Sequence, residues 1–182
     1  MKLFYILLGA SVHGRTIEQH DVFFGIAKKL KDLVPAIKEF WPEAGNDLHL
    51  DAYQEVKFVD GYEIKIVEKG SEKSENHLFF INLGGYKAGF FEEFHEQHLM
   101  VGKKMSEVIK RSKQTEFYKT MGFPGAVSHI DDKHGVDVDD IFKVNDLLPQ
   151  EMREKYSLVL EKSGEIEQKN FIKLKYLTID KI

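Results

Sequence analysis

The chain has 182 residues, 42% of them hydrophobic and 31% charged, with 26 basic against 30 acidic side chains and a formal net charge of −4. Such a length buries a real core, as one compact domain or two small ones, and the negative balance argues against the broad positive field that nucleic acid or an anionic membrane needs. Cysteine is absent, which removes thiol nucleophiles, disulfides and thiolate metal sites together.

Residues 2–8 are apolar on both parities, the pattern of a central strand covered on both faces. This apolar start is too short to span a bilayer and carries no cleavage signature, so a cytoplasmic protein is expected. Gly9 to Gln19 reads as a loop, and residues 20–26 as a second strand with Val22, Phe24 and Ile26 on one face. Leu30, Leu33, Val34, Ile37, Phe40 and Trp41 then recur at helical spacing. Pro35 is tolerated only in a first turn, which places the helix at Asp32 to Trp41 with Asp32 as its N-cap. Val56 and Phe58, the pair Asp60-Gly61, and Tyr62, Ile64 and Ile66 predict a half-exposed hairpin. The Ser-, Glu- and Lys-rich run from Gly70 to Asn76 reads as a linker.

Beyond that linker the chain repeats itself. At a constant shift of about 75 residues, Leu3, Phe4, Ile6, Leu8 and Gly9 align with Leu78, Phe79, Ile81, Leu83 and Gly84. The same frame carries Gly14 onto Gly89, Glu18 onto Glu93, His20 onto His95, and Lys28-Lys29 onto Lys103-Lys104. The second copy is expected to have a helix capped by Ser106 and running to about Tyr118, and strands at Ile141 to Val144 and Tyr156 to Leu160. A tail strand, Phe171 to Ile179, comes after the Ser163-Gly164 turn. Asp51, Lys57 and Asp60 match Asp137, Lys143 and Asp146 at a longer shift, which predicts an insertion around Gly122, Pro124 and Gly125. The expected architecture is α+β: a duplicated β-β-α-β-β unit related by a pseudo-two-fold axis, with a mixed or antiparallel sheet, helices packed on it and an extra C-terminal strand. Its boundaries are 1–70 for the first unit, 71–76 for the linker, 77–162 for the second unit and 163–182 for the tail, the halves sharing one core.

Leu8-Gly9, His20-Asp21-Val22, Leu48-His49 with Asp51, Val59-Asp60-Gly61-Tyr62, Leu83-Gly84-Gly85-Tyr86 and His95-Glu96 together resemble a family of small bacterial proteins known only as a domain of unknown function, in which the unit is duplicated. The resemblance covers residues 2 to 160. It implies a bacterial, cytosolic protein and brings no activity, cofactor or catalytic residue with it. The second copy departs from the pattern at Leu147-Leu148-Pro149, where the first has Gly61-Tyr62-Glu63.

Candidate chemistry lies where imidazoles meet carboxylates. His20-Asp21 and His95-Glu96 place one such pair after the first loop of each copy, but neighbours on a strand face opposite ways. His20 and His95 therefore point to the packed side, while Asp21 and Glu96 point away. An inward histidine there serves as acid, base or ligand, or ties the loop down through backbone hydrogen bonds. His49 and Asp51 form a same-faced His-x-Asp pair, with His134 and Asp137 as its rough counterpart. His95 and His98 are weak metal candidates, because strand geometry sends them to opposite faces. Gly84-Gly85 comes after a buried strand as phosphate-cradling loops do, yet no helix starts at once.

These readings favour a small-ligand-binding or assembly module, with His20, Asp21, His95, Glu96, His49, Asp51, Gly84 and Gly85 as candidate ligand-binding residues. The rival is an enzyme using the paired loop histidines and carboxylates for acid/base or metal-assisted hydrolysis. The cofactor is left open, as is self-association, and no nucleic acid or membrane partner is expected.

Overall fold

The computed structural model describes residues 1–70, 74–130, 141–164 and 170–182. Strands β1 (Lys2–Ala10), β2 (Gln19–Ala27), β3 (His49–Val56), β4 (Phe58–Val59) and β5 (Tyr62–Glu68) lie in the first part, with helix α1 (Val34–Phe40) between β2 and β3. Strands β6 (His77–Tyr86), β7 (Glu93–Gly102), β8 (His129–Ile130) and β9 (Phe142–Lys143) come next, with α2 (Met105–Ser112) and α3 (Glu116–Thr120) after β7. Helices α4 (Val144–Leu147) and α5 (Gln150–Lys155) lead into β10 (Tyr156–Lys162) and β11 (Ile172–Thr178). Among the described residues every pairing of these strands is antiparallel, and the fold class is α+β. The chain forms two compact units, one from Met1–Lys73 and Leu147–Ile182, the other from Ser74–Asp146.

In the first unit β1 is flanked by β2 and β3, and β11 adds an outer strand to β3. Apolar residues on both parities of β1 explain its central place. Phe4, Ile6 and Leu8 meet Phe23, Leu50 and the helical residues Leu33 and Ile37 in one core, while Leu3 is buried from the other face. Full burial of each such side chain stabilises by about 1.5–3 kcal/mol. Tyr5 stacks on Phe24 with ring centroids 4.8 Å apart, and burial raises its hydroxyl pKa far above the ordinary value. The folded phenol thus stays neutral where the unfolded chain ionises, at about pH 10. Stability is expected to fall as pH rises past that point, and Tyr5→Phe to remove this part of the loss. Urea midpoints of both proteins at pH 9 and pH 11 check it, since an equal alkaline loss in the variant would contradict the assignment.

The helices differ from the sequence expectation at their starts. Residues Leu30–Leu33 form a 3-10 turn in which the Asp32 carboxylate accepts the Lys29 N–H at 3.0 Å. The α-helix starts only at Val34, with Leu33 as N-cap and Pro35 in the first turn, so Asp32 does not cap it. In the second unit α2 is preceded by Lys104, not capped by Ser106, and ends at Ser112. The chain restarts as α3 because the Thr115 hydroxyl accepts the Tyr118 N–H at 3.2 Å, a fresh N-cap that splits the single expected helix.

The hairpin β4-β5 turns through Asp60 (φ 52°) and Gly61 (φ 77°), the double left-handed geometry of a type I′ turn. Strand β10 adds to β5, and the pairing is reciprocal: Tyr62 opens β5 opposite Lys162, and Tyr156 opens β10 opposite Glu68. The second half has α4 and α5 where the first has its tight turn.

The second unit is also built on a central strand, β6, with β7 on one side and β8 and β9 on the other. Phe79, Ile81, Leu83 and Met100 bury against Val108 and Ile141. Its hairpin keeps the register of the first: Leu3 opposes Ile26 and Leu78 opposes Val101, Gly9 opposes His20 and Gly84 opposes His95. The third strands match less simply. Gly84 lies opposite His129 as Gly9 lies opposite His49. Phe79 lies opposite Lys143 as Phe4 lies opposite Glu55, so Lys143 stands at the place of Glu55 rather than Lys57. Strand β6 thus pairs with β8 and with β9, where β1 pairs with the single strand β3. His134 and Asp137 lie outside the described residues.

Candidate functional site

One cross-strand row brings the chemistry together. Gly9 on β1 lies opposite His20 on β2 and opposite His49 on β3, so the two imidazoles rise from the same sheet face on either side of a residue with no side chain. A Cβ on Gly9 would stand 2.4 Å from His49 Nε2 and 2.7 Å from Asp51 Oδ2. Only glycine leaves that space. The β1–β3 register slips between Leu7 and Leu8, leaving Asp51 as the extra residue of a bulge; bulges re-aim side chains in this way. Asp51 thereby turns toward both histidines.

Four groups converge. His49 Nε2 is 3.0 Å from Glu18 Oε1 and 3.5 Å from Asp51 Oδ1, and His20 Nε2 is 3.3 Å from Asp51 Oδ2 and 3.6 Å from Glu18 Oε2. Their environments differ sharply, for the His49 side chain is 4% exposed and that of His20 46%. His49 Nδ1 is 2.8 Å from the Asp47 carbonyl oxygen. A carbonyl only accepts, so Nδ1 carries a proton and Nε2 is the ring nitrogen turned to the two carboxylates. That buried nitrogen and Asp51 Oδ2 have no hydrogen-bond partner. Tyr176, from the matching irregularity in β11, lies with its ring centroid 4.5 Å from that of His49 and walls one side.

Among the candidates, His20, His49 and Asp51 come together. Asp21 turns away, accepting the Val22 N–H on its own carboxylate at 2.7 Å. In the second unit His95 lies opposite Gly84. Glu96 points elsewhere, and its carboxylate is 3.0 Å from His98 Nε2. Because Ile81, a core residue, is the partner of His98, the two histidines His95 and His98 face opposite sides, as strand geometry requires. Gly85 has a packing duty: a Cβ there would lie 2.7 Å from the Met121 carbonyl oxygen, so its absence lets the end of α3 approach β6. Among the described residues no group of three or more His, Asp or Glu is arranged so that it could hold a metal ion.

Sequence reasoning missed Glu18, Gly9 and Tyr176 as site residues. Glu18 was legible, since it precedes His20 by two positions and shares its parity, and Glu93 and His95 stand at the same spacing. Tyr176 was not, because only the pairing of β11 with β3 brings it there. A separate groove of about 580 Å³, lined by Phe23, Phe40, Leu148, Pro149 and Met152, lies at α1 and α5. Phe23 belongs to the sheet face opposite His20, so this groove is remote from the imidazoles.

The fold and site together define an α+β protein with a carboxylate–imidazole cluster on an antiparallel sheet. A family model described as Domain of Unknown Function (DUF1543) matches residues 15–66, the stretch that contains Glu18, His20, His49 and Asp51. The whole chain is similar in fold to a crystal structure of a protein Il1583 from Idiomarina loihiensis, with a TM-score of 0.59, 23% identity, and coverage of 98% of this chain and 97% of that one. No curated protein matches the chain. Among the described residues no helix is long and apolar enough to cross a membrane.

Proposed function

We propose that the protein binds a small cationic ligand at Glu18, His20, His49 and Asp51. The observation that supports this reading is the buried, unpartnered Nε2 of His49 set against two carboxylates. Two carboxylates gathered at 3.0 and 3.5 Å around one buried ring nitrogen concentrate negative charge, and a positive charge between them is favourable. The reading includes a duplicated unit of 1–70 and 77–162, supported by the shared hairpin register and by the reciprocal β5–β10 pairing. Self-association, the other part of the reading, has its support in the outward row Ile172, Leu174 and Tyr176 on β11.

A thermal-shift panel of alkylammonium compounds, polyamines and inorganic cations tests the binding role. At least one class is expected to raise the melting temperature of the native chain and to lose most of that effect in Glu18→Gln and Asp51→Asn. No response from any class would overturn it. The enzymatic alternative draws on His20, half-exposed with Asp51 beside it, an arrangement that orients a general base.

A further inference from the structure

We propose that the cation taken by this cluster is a primary aliphatic ammonium, its charged head held by the carboxylates of Asp51 and Glu18 and its apolar chain laid along the neighbouring row of the same sheet face; this rests on the cation-binding reading of the site. The head is read from an orphan acceptor. Asp51 Oδ2 is buried without a hydrogen-bond partner, and the His49 ring, 4% exposed and with its Nε2 likewise unpartnered, is aimed into the same place. An ionised carboxylate oxygen only accepts, so the group that satisfies it brings an N–H or O–H, and a charged N–H makes the stronger bond. A quaternary ammonium has no such hydrogen.

The chain is read from strand register. Two residues along β1 from Gly9, about 6.8 Å away, Leu7 stands on the same face, with Val22 opposite it on β2 and Ala52 on β3. Leu174 on β11 lies opposite Ala52 and completes an apolar row across all four strands. The bulge at Asp51 makes this possible, because it keeps His49 and Ala52 on one face although they are three positions apart. Leu7, Val22 and Ala52 are half-buried, whereas Leu174 is 81% and Tyr176 65% exposed. Tyr176 stands at the join, two positions from Leu174 along β11 and against the His49 ring. A few polar groups that orient a ligand, beside apolar walls that hold its body, are the usual make-up of a small-molecule site. An inorganic cation would leave the apolar row bare, and a polyamine would lay charge upon it.

Isothermal titration with methylammonium, hexylammonium and tetramethylammonium chlorides and with hexan-1-ol tests the assignment, at pH 8.5, where an ordinary imidazole has lost its proton and an alkylamine has kept its own. Each methylene buried is worth about fourfold in affinity. Hexylammonium is therefore expected to bind at least tenfold more tightly than methylammonium, and at least tenfold more tightly than tetramethylammonium or the uncharged alcohol. Leu174→Ser, at an exposed position, is expected to cut the advantage of the long chain at least threefold and to leave methylammonium binding unchanged. Asp51→Asn is expected to weaken both amines at least tenfold with an unchanged far-ultraviolet circular dichroism spectrum; Glu18→Gln, at a more exposed position, replaces it should that variant fail to fold. Equal affinity for the two amines, or a long-chain advantage untouched by Leu174→Ser, would overturn the apolar row while leaving the cation-binding reading intact. Hexan-1-ol or tetramethylammonium binding as tightly as hexylammonium would overturn the ammonium head. Binding of no cation of any class would remove both readings.

Discussion

Gly9→Ala is expected to destabilise the protein by about 1–3 kcal/mol, the usual penalty of forcing a methyl group into a filled space. For a chain of this size that lowers the melting temperature by about 2–4 °C for each kcal/mol. The new methyl would lie 2.4 Å from His49 Nε2 and 2.7 Å from Asp51 Oδ2. Neither neighbour has an easy retreat: His49 is buried and held by Asp47, and Asp51 is fixed in its bulge. The same substitution should also abolish the thermal response to cations, because it separates the two imidazoles from the carboxylates. Gly25→Ala is the fitting control. Its Cβ would meet Leu33 Cδ2 and Phe23 Cε1, each at 2.7 Å, in the apolar core on the opposite side of the sheet. It is expected to destabilise while sparing the cation response. Paired thermal melts with and without the cation check both halves, and a Gly9→Ala protein that melts and responds like the native chain would contradict the geometry.

Most of the strands are legible from local pattern alone. Apolar residues on both parities mark β1 and β6 as central, and Asp60-Gly61 marks a tight turn, because each signal depends on a few adjacent residues. The helix starts are harder. Asp32 and Ser106 are good capping residues, but a 3-10 turn before Pro35 and the extended backbone of Lys104 decide where the helices begin. The third strand of the second unit is harder still. Histidine spacing points to His134, which lies outside the described residues, whereas the backbone ladder sets His129 opposite Gly84 as it sets His49 opposite Gly9. The same limit hid the site. His20, His49 and Asp51 are visible singly, yet the reason they meet is the empty Cβ position of Gly9 between them, a fact about three strands at once. Exposure also departs from parity: His20 shares the face of Phe24, yet stands half-exposed on the edge strand β2, while His49 in the same row on the inner strand β3 is buried.

Phe79→Ala is expected to have the largest effect on stability, about 3–5 kcal/mol. Phe79 is fully buried on β6 beside Ile81, Leu83, Met100, Val108 and Ile141. The corresponding Phe4 on β1 packs into a broader cluster that includes Leu33, Ile37, Leu48 and Leu50. A small core has fewer neighbours able to close over a lost ring, so the cavity term remains nearly whole at Phe79, whereas the larger core at Phe4 relaxes further. Phe79→Ala should therefore cost at least as much as Phe4→Ala, although both remove the same atoms from matched strands. Urea unfolding followed by circular dichroism gives the two midpoints, and amide exchange across β6 and β1 locates the weakened strand. Faster exchange confined to β6 in Phe79→Ala and to β1 in Phe4→Ala would fit two cores that pack separately. Equal loss of protection in both strands for either substitution would show instead that the cores unfold as one.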